Sequence, residues 1–89
     1  MVQIRTKKGQ PYPLGATPKS SGINFSMVNS SDEECGLILY HKQSGEIQRL
    51  VFEKRHRIGN ISCFYVEGIR IDDYEYNFFI LRIFILLIR

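Results

Sequence analysis

Tryptophan is absent from this chain. That removes the largest flat side chain with which a protein can hold a sugar ring or a base. The two histidines, His41 and His56, sit in no recognisable nucleophile or metal motif. Both read as surface residues, one ending a strand and the other in a charged loop. Two cysteines, Cys35 and Cys63, cannot make a disulfide framework, and no Cys-x-x-Cys or zinc spacing exists. They read as small buried hydrophobes in a reducing cytoplasm. No glycine-rich phosphate loop is present. The carboxylate clusters Asp32-Glu33-Glu34 and Asp72-Asp73 are neighbours within single turns. Glycosidic cleavage needs carboxylates facing each other across a cleft, so these pairs do not suit it. No catalytic residue and no cofactor or metal ligand is expected.

No apolar run reaches the roughly 20 residues that a membrane-spanning helix requires. Met1 is followed by polar and basic residues, which argues against a secretion signal. The expected location is therefore cytoplasmic. On that reading the three Asn-x-Ser sequons at Asn24, Asn29 and Asn60 are chance occurrences.

Alternation is what the chain does have. Apolar residues recur at a spacing of two, and turn signals interrupt them about every 10 residues, as in an antiparallel sandwich or barrel. With 89 residues there is room for one small domain. Residues 1–12 read as an N-terminal arm, with a short edge strand around Val2 to Arg5. Pro11-Tyr12-Pro13 cannot be central strand, because proline lacks the donor that a ladder needs. Leu14 to Pro18 reads as irregular. Ile23 to Asn29 is a strand, with Ile23, Phe25 and Met27 on one face and Asn24 and Ser26 on the other. Cys35 to His41 is apolar on both faces, which predicts a central strand covered on both sides. Gln43-Ser44-Gly45 turns the chain into a strand from Glu46 to Glu53. A basic loop, Lys54-Arg55-His56-Arg57, precedes the turn at Gly59-Asn60 and the strand Ile61 to Glu67.

The most distinctive strand is Tyr74 to Phe78. Tyr74, Tyr76 and Phe78 share one face, and Glu75 and Asn77 share the other. Its approach through Gly68 and Asp72-Asp73 is like the corner of immunoglobulin-like sandwiches, where a tyrosine hydroxyl bonds back to main chain, although a plain core tyrosine is the commoner role for a residue such as Tyr74. From Phe78 to Ile88 every residue is apolar except Arg82. Such a segment either pairs inside the fold, buries itself against another molecule, or is not the natural end of the domain. The fold class expected is an all-β, antiparallel sandwich of six or seven strands.

Several stretches together resemble one known family. Pro13-Leu14-Gly15-Ala16-Thr17, then Gly22-Ile23-Asn24-Phe25-Ser26, resembles the opening of bacterial glycogen-debranching, isoamylase and pullulanase enzymes. Cys35 to Tyr40, Gly59 to Gly68 and Tyr74-Glu75-Tyr76-Asn77-Phe78 are similar to later strands of the same module. The resemblance runs from about Gly9 to Phe78. It implies the N-terminal family-48 carbohydrate-binding module, an immunoglobulin-like sandwich. In the family it precedes a glycoside hydrolase family 13 barrel that acts on branches of α-glucans such as glycogen or starch. A barrel of that type needs roughly 250 residues, so the catalytic domain is absent here. Ser62 stands where many members carry a tryptophan, and no sugar-contacting residue is assigned. Residues 79–89 depart from the family pattern and look like an altered end, such as a truncation or a shifted reading frame.

Two other readings belong to different classes. One is a small basic β-barrel that binds single-stranded nucleic acid through Lys54 to Arg57 and exposed aromatics. In place of tryptophan, Tyr40, Phe64 and Tyr65 are the residues available to stack on a base or a sugar ring, though each is more often core than platform. The net charge of +3 agrees with an anionic partner without requiring one. The other is a homo-oligomer formed through residues 79–89. If Tyr76 fills the core, Tyr76→Ala should cost about 3–5 kcal/mol in denaturant unfolding.

Overall fold

In a computed structural model of the chain, residues 4–81 are described. Eight strands occur among them: β1 (Arg5–Lys8), β2 (Gly15–Pro18), β3 (Gly22–Val28), β4 (Cys35–His41), β5 (Ile47–Val51), β6 (Arg57–Ile58), β7 (Ile61–Glu67) and β8 (Tyr74–Ile80). Two 3-10 turns, Lys54–His56 and Ile71–Asp73, are the helical elements. The strands form two antiparallel sheets. The larger has the order β1-β7-β3-β2, with β6 also paired to β7. The smaller has the order β5-β4-β8. The architecture is an all-β sandwich.

The period-two pattern builds the core. Ile23 and Phe25 from β3 face the interior beside Phe64 and Val66 from β7, with Ile23 opposite Val66 and Phe25 opposite Phe64. Leu37 and Leu39 of β4 meet them from the smaller sheet, and all six side chains are essentially removed from water. Phe52 stacks on Phe64 with ring centroids 4.3 Å apart. Burial of this kind stabilises by about 1.5–3 kcal/mol for each large apolar side chain.

The outward side of β3 is the unexpected part. Asn24 and Ser26 point away from the core, yet both are buried. The cause is the path of the N-terminal arm. Because β1 and β2 lie at opposite edges of the larger sheet, residues 9–14 must cross its outer face. Asn24 holds this strap at both ends of its carboxamide. Its Oδ1 accepts from the Gln10 amide at 2.8 Å, and its Nδ2 donates to the Gln10 carbonyl at 2.9 Å. The Ser26 hydroxyl donates to the Pro11 carbonyl at 2.6 Å. The strap lies so close that a Cβ on Gly9 would stand 2.6 Å from the Phe64 backbone. Gly22 is similarly forced, because a Cβ there would strike the Val66 carbonyl.

The structure corrects several expectations. The edge strand of the arm runs Arg5–Lys8, paired with β7, whereas residues 2 and 3 of the expected Val2 to Arg5 lie outside the described residues. Gly15–Pro18 is not irregular but pairs with β3, because Gly15 adopts φ 91° and redirects the chain along the sheet edge. The strand after Gly45 is shorter than Glu46 to Glu53, running Ile47–Val51. Strand β4 is central, but only one of its faces is covered. Ile38 and Tyr40 point outward from a three-stranded sheet with no further layer among the described residues. Tyr74 is buried, though none of its hydroxyl's bonds among the described residues reaches main chain; its ring meets His41 edge-on at 4.9 Å. Tyr76 points inward but lies on edge strand β8, and it remains 39% exposed while touching Phe25 edge-on. Strand β8 carries the apolar ending as far as Ile80, and the expectations for 82–89 lie outside the described residues.

Two stability predictions follow from these placements. Phe25→Ala should cost about 3–5 kcal/mol and Tyr76→Ala roughly half of that, read from denaturant midpoints. Asn24→Ala should cost about 1–3 kcal/mol, since it strands the Gln10 amide and carbonyl beneath the strap. Equal losses for Phe25→Ala and Tyr76→Ala would refute the first placement, and a neutral Asn24→Ala the second.

Candidate functional site

The crossing strap shapes the outer face of the larger sheet. Tyr12, held between Pro11 and Pro13, leaves its ring 66% exposed at the crest of the crossing. On one side lies a cavity of about 250 Å³, lined by Lys8, Gln10, Tyr12, Thr17, Lys19 and Tyr65. The Tyr65 hydroxyl shares a 2.7 Å hydrogen bond with the Ser21 hydroxyl, which fixes that ring in the wall. A second cavity of about 380 Å³ adjoins the first through Lys8 and Gly9, and is lined further by Lys7, Arg55, His56 and Cys63. No carboxylate lines either cavity. Lys7 is held by Glu67 at 2.8 Å and Arg55 by Glu53 at 2.7 Å. Lys8 and Lys19 make no ion pair among the described residues.

The basic loop foreseen at Lys54 to Arg57 is taken apart by the fold. Lys54 lines a different hollow, beside Asp32, Glu33 and Glu34. Arg57 spends its guanidinium on the carbonyls of Asn29, Ser31 and Gly59, at 2.6, 2.8 and 2.9 Å. His56 is not a surface residue. Its Nδ1 accepts the Glu53 amide at 2.9 Å, closing the 3-10 turn, and its ring packs edge-on against Phe64. Burial pushes the imidazole pKa down, nearby Arg55 adds to this, and Glu53 opposes it. The Glu53 carboxyl in turn is held below the usual range, chiefly by its hydrogen bond from Arg55. His41 accepts the Ser44 amide at 3.0 Å and so serves the hairpin turn.

Among the aromatic candidates, Phe64 is core and cannot be a platform. Tyr65 is half-buried in the cavity wall, while Tyr40 stands on the outer face of the other sheet. Ser62 is buried, and Cys35 donates its thiol to the Ser62 hydroxyl at 3.8 Å. Burial also raises the Cys63 thiol pKa. Both cysteines are free. The sequons at Asn24 and Asn29 are sealed in the fold, since both carboxamides are buried and hydrogen-bonded. Among the described residues no cluster of His, Cys, Asp and Glu is arranged to hold a metal ion. No helix among them is long and apolar enough to cross a membrane.

A second surface lies on the smaller sheet. Ile38, Tyr40, Ile47, Val51 and Phe79 all point outward there, as the pairing register requires. Phe79 lies over Gly36, and the Arg49 guanidinium caps its ring at 4.7 Å from the centroid. Arg49 is itself anchored to Glu34 at 2.7 Å.

Sequence reasoning passed over Tyr12, Lys8 and Lys19. The available signal was Pro11-Tyr12-Pro13, where flanking prolines exclude the tyrosine from a ladder and favour its exposure. No protein-family model matches the chain, and no curated protein matches it.

The buried imidazole generates a pH prediction. Its pKa in the folded state lies below the unfolded value, so the unfolded chain takes up the proton first. Stability should be complete above about pH 6.5 and fall as pH drops below it, by at most about 1.4 kcal/mol per unit for this group. Denaturant unfolding of the native chain and of His56→Gln between pH 7.5 and 5 checks this. The slope in this range should be shallower in the variant, and identical slopes would remove His56 as its source.

Proposed function

We propose that this chain is a non-catalytic accessory module of an α-glucan debranching glycoside hydrolase. It packs beside a catalytic domain absent from this chain, contacts glucan, and works in the cytoplasm. One observation carries the reading. The two opening stretches of the family resemblance, Pro13 to Thr17 and Gly22 to Ser26, contain neighbouring paired strands whose individual residues have separate physical jobs. Gly15 supplies a positive φ, Ala16 packs on the core, and Gly22 avoids the Val66 carbonyl. Ile23 and Phe25 fill the core, while Asn24 and Ser26 hold the strap. That these residues each have a physical job in one paired unit supports the reading.

The exposed apolar face of the smaller sheet supports the packing role. Ile47 is 65% exposed there, and its neighbours Ile38, Tyr40, Val51 and Phe79 extend the patch across three strands. A patch of this kind marks an interaction surface. Arg49 above Phe79 suits an interface, where arginine and aromatic residues are enriched.

The test is electrophoresis of the folded chain in native gels cast with and without glycogen, beside a protein of similar charge that binds no glucan. Retardation by glycogen is expected. Mobility identical to the reference at all glycogen concentrations would rule out glucan contact.

A further inference from the structure

We propose that the cleft between Tyr12 and Tyr65 binds a phosphate-bearing glucan, with a pyranose on the tyrosine rings and its phosphomonoester on Lys8 and Lys19. This rests on the accessory-module reading and adds the chemical class of its ligand and the residues that meet it.

The ring platform comes first. Tyr12 is the most exposed large apolar side chain of the described residues, yet the chain just before it is tied down. Its neighbour Pro11 is tied to Ser26, and the preceding Gln10 is tied twice to Asn24. An aromatic ring presented to water by a backbone this constrained loses little freedom on binding. Tyr65 lines the same cavity and is braced by Ser21. Thr17 and Gln10 supply neutral donors and acceptors around the same space, as sugar hydroxyls require.

The charge then selects among sugars. A neutral glucan gives no reason for a cleft without a carboxylate that holds two ammonium groups. Lys8 and Lys19 are not neutralised by ion pairs among the described residues, whereas Lys7 and Arg55 next door are. A phosphomonoester carries roughly −1.5 to −2 charge and three strong acceptor oxygens, and lysine serves it as a point charge. In the adjoining cavity Lys7 and Arg55 are already ion-paired, so the unpaired positive charge is concentrated at Lys8 and Lys19. The combined space is of the order of a small-molecule site.

The experiment is isothermal titration of the folded chain with a linear malto-oligosaccharide, and with the same oligosaccharide phosphorylated at a primary hydroxyl. At low salt the phosphorylated form should bind about tenfold more tightly, the equivalent of one charged hydrogen bond. The advantage should shrink as salt is added. Lys8→Gln combined with Lys19→Gln should abolish the advantage, so that the two oligosaccharides bind that variant equally. Tyr12→Ala should weaken both ligands alike. All these positions are exposed, and circular dichroism confirms that each variant folds. Equal affinity for the two oligosaccharides would overturn the phosphate assignment and leave the accessory-module reading standing. An advantage that survives the double lysine variant would overturn the location. Binding of neither oligosaccharide would remove both the inference and the reading beneath it. Equal affinity for an oligonucleotide would overturn the proposal in favour of a general polyanion surface.

Discussion

The fold depends on one carboxamide. Asn24 donates to and accepts from the main chain of Gln10, and so does for a single residue what a neighbouring strand does for many. The need arises from topology. Two strands close in sequence, β1 and β2, occupy opposite edges of one sheet, so the link between them must cross its face. A crossing segment would leave peptide groups unpaired against the sheet, and such groups are costly when shielded from water. Asn24 and Ser26 meet that demand from the outward side of β3, while Ile23 and Phe25 on its inward side hold the two sheets together. One strand thereby serves both layers, and the polar half of its alternation is as structural as the apolar half.

That division explains what was legible beforehand. Strands β3, β4 and β7 follow directly from alternating residues, and Gln43-Ser44-Gly45 turns the chain with Gly45 at φ 76°. The pattern misleads where a polar side chain is buried or an apolar one is not. Asn24 and Ser26 read as solvent-facing because the strap that covers them comes from a distant part of the sequence. Tyr76 reads as core because alternation gives its side but not its nearness to a sheet edge. His56 reads as a surface base because charged neighbours surround it in sequence, whereas in space its ring meets Phe52 and Phe64.

The candidate site was less legible than the fold, for the same reason. Lys8, Tyr12, Lys19 and Tyr65 are scattered over nearly sixty positions and converge only because the arm crosses β7 and β3. The basic loop that stood out by proximity in sequence is dispersed by the fold. Arg57 turns inward to carbonyls, His56 enters the core, and Lys54 joins an acidic hollow.

Gly36 has a consequence of its own. With no side chain at that point of β4, the Phe79 ring occupies the gap, with the Arg49 guanidinium over it. At that point of the central strand an aromatic ring from the neighbouring strand takes the place of a side chain. Any side chain at position 36 would collide with the Leu50 carbonyl on one flank and the Phe79 ring on the other, so a single methyl group would push apart all three strands.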